Sequence, residues 1–368
     1  IVLQLNRHAS AIVICVAGLV SAQDSQAYAG ETLATFDFSV SRFLMNPATH
    51  TMYASVPSLN SVVAIDTQSL AILSTTFVGS NPTGMALSND GSRLYVANSS
   101  SSSVGVMDTQ SNQLVNSLAV SGSVRDVQVG RDGHLYVLTD FSLTQHDPET
   151  GASIGPNVPA HVYGGELAIS PDKNTLYYAD YGLSPASLYK YDVSGNTPQL
   201  LWESPHGGTS GSNGQDLAIS HDGSFISYAA GAGQIGYSIA KYRTSDMQIE
   251  GSFNTGAYPR EITFSPDDAV AYTVNTSGNV KMWDTQTFLS LGQFSIGGEA
   301  SELAVDGSGR YLFAALNGNY WNADDTGRLL VIDTGRLVAA VPEPSSVILL
   351  SMGLAAIAYG RRRGLVAG

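Results

Sequence analysis

Five acidic residues, Asp126, Glu166, Asp216, Glu261 and Glu302, occupy one position of a repeated phrase, each just ahead of a short apolar run. The two other occupants of that position are Arg42 and Gly84. Carboxylates gathered in this way supply hard oxygen ligands, suited to Ca²⁺, Mg²⁺ or a cationic group on a ligand. Like charges about 10 Å apart repel by roughly 0.4 kcal/mol in water and roughly 1.7 kcal/mol at an effective dielectric of 20. A ring of them therefore calls for compensation. Arg42, Arg125 and Arg260 are the candidates for it, the last two adjacent in sequence to Asp126 and Glu261. Two readings stay open: the acids cap turns or pair with arginines, or they bind a cation or cationic ligand.

A second candidate is the loop Asn317–Gly327, which carries Asn319, Asn322, Asp324 and Asp325 beside Tyr320 and Trp321. Amide and aromatic side chains together suit hydrogen bonding to and stacking on sugars. Its spacing departs from the EF-hand pattern, and a simple loop insertion accounts for it equally well. Another irregular loop, Pro205–Gln215, leads into Asp216. No nucleophile arrangement accompanies these features: the chain lacks G-x-S-x-G, H-E-x-x-H, a P-loop and C-x-x-C. Its seven histidines are scattered, with His134, His146 and His221 at turns or strand ends, where they read as surface residues.

The elements that must position these residues are repeats. Met85–Gln110 (MALSNDGSRLYVANSSSSSVGVMDTQ) reads as a strand, an Asn-Asp-Gly turn, a second strand, a serine loop and a third strand ending in Asp. The turn position recurs at Ala48, Asp90, Asp132, Asp172, Asp222, Asp267 and Ser308, in steps of 42, 42, 40, 50, 45 and 41 residues. A second marker, the Asp closing the third strand, keeps the same step at Asp66, Asp108, Asp147, Asp192, Asp284 and Asp333, with Arg243 standing in once. Tyr, Val, Ile, Thr and Phe fill short alternating runs, which suit a half-buried pleated surface, and no window sustains a helical stripe. In the fourth unit the strands are expected at Leu167–Ser170, Leu176–Ala179, Leu188–Tyr191 and Gln199–Trp202. One four-stranded unit cannot bury both its faces, so units of this length must stack as propeller blades.

The expected fold is thus all-β, a seven-bladed β-propeller of four-stranded antiparallel blades. The last unit has good strands at Leu303–Val305, Tyr311–Ala315 and Leu329–Ile332, then runs toward a proline. The strand-like run Leu33–Phe38 (LATFDF) precedes the first unit and is expected to close the ring as the outer strand of the last blade. The first strand of a blade lies innermost, so the acidic position should ring one mouth of the central channel.

SNDGSRLYVAN…VGVMDTQ and SPDKNTLYYAD resemble the YVTN family of β-propeller repeats, and Trp283-Asp284 is similar to the WD-repeat signature. The resemblance spans about Phe43–Asp333 and implies the fold, while propellers host enzymes, binders and scaffolds alike. Some lactonases hold a divalent metal at a propeller mouth with carboxylate and Asn ligands. A metal-dependent hydrolase of that type is the alternative to a binding or scaffold protein, although no residue here presents itself as its base.

The two ends read as targeting segments. Arg7 and His8 precede the apolar run Ala9–Val20, and Ala27-Tyr28-Ala29 offers a signal-cleavage site before Gly30, with Ala22 as rival. The single cysteine, Cys15, falls inside that run, so the exported body would rest on its core without disulfides. Residues 30–341 carry 13 Lys and Arg against 29 Asp and Glu, a net of −16, which argues against nucleic acid or an anionic membrane as partner. At the other end, Val341-Pro342-Glu343-Pro344 is followed by the apolar run Val347–Tyr359 and by Arg361, Arg362 and Arg363. Thirteen helical residues span about 20 Å, short of a bilayer core of roughly 30 Å.

This order resembles the PEP-CTERM sorting signal, also known as the ice-binding protein C-terminal domain. The resemblance implies a Gram-negative, exopolysaccharide-forming bacterium, an exosortase-type enzyme acting near Pro342–Pro344, and transient anchoring in the inner membrane by a short apolar helix. The expected division is a signal peptide over 1–29, the propeller over 30–340, the sorting signal over 341–363 and a tail over 364–368. The expected role is an exported cell-surface or matrix-associated binding or scaffold protein. Exopolysaccharide or another surface protein is the expected partner, and Ca or Mg is the cofactor the acidic ring would suit.

Overall fold

The computed structural model describes residues 29–158, 162, 164–181, 186–205, 214–230, 237–316 and 327–335. They form seven antiparallel sheets, one per repeat, set around a common axis as the blades of a propeller. Blade four shows how closely the local pattern dictates the strands: Glu166–Ile169, Thr175–Ala179, Leu188–Asp192 and Gln199–Glu203, paired in that order. The turn between its first two strands is held by Asp172, whose Oδ1 accepts from the Ser170 hydroxyl at 2.6 Å and the Asn174 amide at 3.1 Å. The same lock recurs at Asp90, Asp222 and Asp267. The second repeated acid works at the opposite corner of the hairpin. Asp66, Asp108, Asp147 and Asp284 each accept the backbone N–H three residues on, at 2.6 to 2.8 Å, which fixes the turn into the outer strand.

The core lies between blades. Tyr53, Val62 and Ala64 of blade one pack with Val78, Met85, Leu94, Val96 and Met107 of blade two, all essentially excluded from solvent. Blade one meets blade seven through Val40, Phe43, Met52 and Val63 against Phe313, Leu329 and Val331, with the Phe43 and Phe313 rings 6.2 Å apart. Each such side chain contributes roughly 1.5–3 kcal/mol by leaving water. The ring is therefore stable only when closed, because an open end would wet two blade faces.

Closure comes from the N-terminal strand. Glu31–Phe36 pairs antiparallel with Arg328–Asp333 and completes the sheet Ala300–Val305, Tyr311–Leu316, Arg328–Asp333 from outside. The strand begins two residues before the expected Leu33 and ends at Phe36, since Phe38 turns back to bond the Phe36 carbonyl. Removal of residues 1–38 is expected to abolish the cooperative native unfolding transition in calorimetry; an unchanged melting temperature would contradict closure by this strand.

Blade three departs from the four-strand expectation. It has three strands, Val124–Val129, Leu135–Thr139 and Leu143–His146. The chain beyond meets the last of these irregularly, at a His146–Ser153 bridge and through Ile154 N–H to Gln145 O and Val158 N–H to Leu143 O. Pro156 lies in that segment and has no N–H to give, so a regular ladder cannot form there.

Candidate functional site

The first strands of neighbouring blades pack on one another around the axis, and the acidic position lies on them. Glu166 opens its strand, as does Arg42 in Arg42–Asn46. Asp126, Asp216, Glu261 and Glu302 are instead the third residues of Val124–Val129, Gly214–Ile219, Pro259–Phe264 and Ala300–Val305. The sequence placed them just ahead of the strand because each follows a β-bulge, at Arg125, Gln215, Arg260 and Ser301, where pairing slips by one residue. A bulge bends the strand and re-aims the next side chain. Here it aims a carboxylate at the adjoining blade.

Four of the five carboxylates then accept the backbone N–H of the residue following the equivalent position in the next blade. Asp126 Oδ2 takes Leu167 N–H at 2.8 Å, Glu166 Oε2 takes Leu217 N–H at 3.2 Å and Asp216 Oδ2 takes Ile262 N–H at 2.7 Å. Glu302 Oε1 takes Phe43 N–H at 3.3 Å, across the junction where the ring closes. Glu261 makes no hydrogen bond among the described residues. The ring is thus a set of blade-to-blade staples. Gly84 explains itself in this frame: a Cβ there would lie 1.9 Å from Asp126 Oδ1 and 2.7 Å from Asp126 Cα. Blade two is tied to blade three by Thr83 instead, whose hydroxyl donates to Val124 O at 3.3 Å.

Arg42 supplies the positive charge. From blade one it crosses to blade four, almost opposite in a seven-membered ring, where its Nη1 pairs with Glu166 Oε1 and lies 3.7 Å from Glu302 Oε1. The Tyr181 hydroxyl donates to the other oxygen of Glu166. Arg125 and Arg260, expected to neutralise their neighbours in sequence, face outward. Arg125 pairs with Asp140, and Arg260 bonds Gln215 Oε1 at 3.0 Å and Glu299 Oε2 at 3.5 Å. The alternating pleat sends adjacent residues to opposite sides, so adjacency in sequence is the wrong criterion.

The five acids are 3 to 7% exposed, far drier than a water-filled mouth. Burial, partly offset by Arg42, pushes the Asp126 carboxyl up to about 7 and the Glu302 carboxyl up to about 8. Burial and the neighbouring carboxylates hold Asp216 and Glu261 well above the usual range. Tyr181 is raised for the same reasons. Burial opposes charge on Arg42, yet Glu166, Glu302 and Asp126 outweigh it and raise its pKa well above the ordinary value. The upward shifts of Asp126, Asp216, Glu261 and Glu302 thus favour their protonated forms, which offsets charge that the Arg42 guanidinium does not balance. Among the described residues no three His, Cys, Asp or Glu side chains converge as metal ligands.

A surface cavity of about 490 Å³ flanks this mouth between blades one and seven, lined by Ser39, Val40, Ser41, Pro57, Ser58 and Ser301. The loop candidates Asn319, Tyr320, Trp321, Asn322, Asp324 and Asp325 lie outside the described residues, as do 206–213 and the tail with Val341, Pro342, Glu343, Pro344, Arg361, Arg362 and Arg363. Tyr181 was missed by sequence reasoning; nothing in the run YADYG marks its second tyrosine as a carboxylate partner.

Solved structures share the fold. Hydrazine synthase of Kuenenia stuttgartiensis superposes with a TM-score of 0.61 at 19% identity, covering 86% of this chain and 100% of that one. The β-propeller domain of Cps50 (Swd1) from Myceliophteria thermophila superposes with a TM-score of 0.65 at 11% identity, covering 83% of this chain and 99% of that domain. No curated protein matches the sequence. Residues 340–363 match the PEP-CTERM protein-sorting motif, so this propeller carries the tail of proteins exported through exosortase-type sorting.

Proposed function

We propose that this chain is a binding or scaffold propeller placed at the cell surface or in the extracellular matrix of a Gram-negative bacterium. An exosortase-type enzyme processes its tail near Pro342–Pro344, after transient anchoring in the inner membrane. The observation that carries the reading is the pairing of a sorting tail with a ring whose carboxylate oxygens are largely committed to the fold. Staples of this kind support a rigid platform, and binding residues sit on loops that such a platform positions. The acidic body favours neutral or cationic partners, exopolysaccharide or another surface protein among them, over nucleic acid.

Deletion of residues 340–363 in a host with the sorting machinery is the test. The intact protein is expected in surface and medium fractions and the truncated one in the periplasm; identical fractionation of the two would overturn the reading. The second reading, a metal-dependent hydrolase of the lactonase type, draws on Glu261, whose carboxylate takes no hydrogen bond among the described residues. Stoichiometric Ca or Mg in the purified protein, together with lactone hydrolysis, would favour it.

A further inference from the structure

Two tyrosines stand at turn positions that blades one, two and six fill with Asn, Ser or Gly. Tyr237 lies two residues before Ile239–Arg243, the third strand of blade five, and its carbonyl accepts from the Thr255 hydroxyl. The same carbonyl position in blades one, two and six belongs to Asn60, Ser102 and Gly278, which accept from Val78, Val120 and Ile296 N–H. Tyr258 precedes Pro259, which pairs with Asn275; its equivalent in blade two is Asn81, ahead of Pro82, which pairs with Asn98. All these positions are left-handed, with φ of 64° at Tyr237 and 56° at Tyr258 against 51°, 46° and 73° at Asn60, Ser102 and Gly278 and 56° at Asn81. Asn and Gly tolerate that conformation; a bulky aromatic is strained in it.

Burial does not compensate the strain. Tyr237 is 41% exposed and Tyr258 54% exposed. Their rings meet at 5.9 Å between centroids, tilted by 53°, and neither hydroxyl has a hydrogen-bond partner among the described residues. The loop beneath is firm: Thr255 O accepts from Asn275 Nδ2 and from Lys281 Nζ, both at 2.8 Å. Both tyrosines lie on the turns between second and third strands or between blades, the face that also carries the acidic mouth. Strain held on an exposed, rigid pair of rings is a sign of recognition.

We infer that Tyr237 and Tyr258 form a binding platform for a neutral glycan. The charge around them selects that class. Arg260 is paired with Glu299 and bonded to Gln215, Lys281 is half-buried and directed at the Thr255 carbonyl, and the net charge of −16 over residues 30–341 disfavours a polyanion. Flat ring faces suit the apolar faces of pyranoses, and the two free phenol hydroxyls suit their rims. The inference rests on the binding role proposed above and names its ligand class.

Affinity electrophoresis of the purified chain tests it, in native gels containing laminarin as a neutral glucan or alginate as a polyanionic one. The wild type is expected to be retarded by laminarin and not by alginate. Tyr237→Asn/Tyr258→Asn installs the residue that blade one carries as Asn60 and blade two as Asn81, so the melting temperature should hold or rise while affinity falls at least about tenfold. Retardation by laminarin that survives the double substitution would overturn the platform and leave a glycan-binding role elsewhere on the chain. A wild type retarded only by alginate, or by neither glucan nor alginate, would overturn the ligand class. Surface delivery is read separately by the tail deletion, so either result is distinguishable from failure of the export reading.

Discussion

Replacing Arg42 with Met should destabilise the folded chain by about 3–5 kcal/mol, the range for breaking a buried ion pair by removing one partner. For a domain of this size that lowers the melting temperature by on the order of 10 °C. The reason is geometric. Among the described residues Arg42 is the one cation paired with the ring's buried carboxylates, and it reaches from blade one to Glu166 of blade four and toward Glu302 of blade seven. Its loss strands charge at both junctions. Glu166→Gln in the Arg42→Met background should recover part of the loss, because the stranded carboxylate is then removed. Urea titrations of the wild type, both single variants and the double variant give the coupling directly. A loss below about 1 kcal/mol for Arg42→Met, or strict additivity in the cycle, would contradict a cross-channel strut.

Much of this architecture is legible in the sequence because the information is local and repeated. Asp90 and Asp108 each fix a turn with hydrogen bonds spanning two or three residues, and every blade restates some version of them. The closing strand is legible by elimination, since LATFDF has no unit of its own and the last unit lacks its outer strand. The acidic position emerges from aligning the units, but its meaning does not. Which N–H Asp126 meets depends on how blade four is presented to blade three, and that is a property of the closed ring. The pairing of Arg42 with Glu166 spans 124 residues and a channel, with no sequence signal beyond the cation's appearance at an acidic position. The bulge at Arg260 slips the pairing by one residue and lets the strand begin at Pro259, ahead of Glu261, and only the pairing register shows it. The tyrosine pair is hidden for a related reason: Tyr237 and Tyr258 look like ordinary strand-former residues until register places both at left-handed turns.

Stability should fall as pH rises from about 4 to about 8. Asp126, Asp216, Glu261 and Glu302 have folded-state pKa values above their ordinary ones, about 7 for Asp126 and about 8 for Glu302. Below pH 4 both the folded and unfolded chains hold these protons, so the stabilising share is fully present. Between the unfolded value and the folded one the unfolded chain releases protons that the ring keeps, and stability declines. Above about 8 the ring ionises as well and the share is gone. A carboxyl carried from 3.8 to about 7 corresponds to about 4 kcal/mol for Asp126 alone. The ring groups interact, so their shares do not add. The turn acids work in the other direction: hydrogen bonds to Ser69 and Ser111 hold Asp66 and Asp108 below the usual range, a contribution lost as pH falls below about 4. These acids are exposed and screened, so the alkaline slope dominates and the optimum falls near pH 4–5. Chemical denaturation from pH 4 to 9 should trace that slope, and Asp126→Asn with Glu302→Gln should flatten it. The Arg42→Met loss should shrink toward pH 4, where the acids no longer need a partner. Running the series with Ca²⁺ and with a chelator separates protons from metal as the ring's compensating charge. If calcium restores stability at pH 8, a cation site exists in the ring; if the slope is the same in both, protons alone balance the carboxylates. A flat profile, or a maximum near pH 8, would contradict the buried, proton-sharing ring itself.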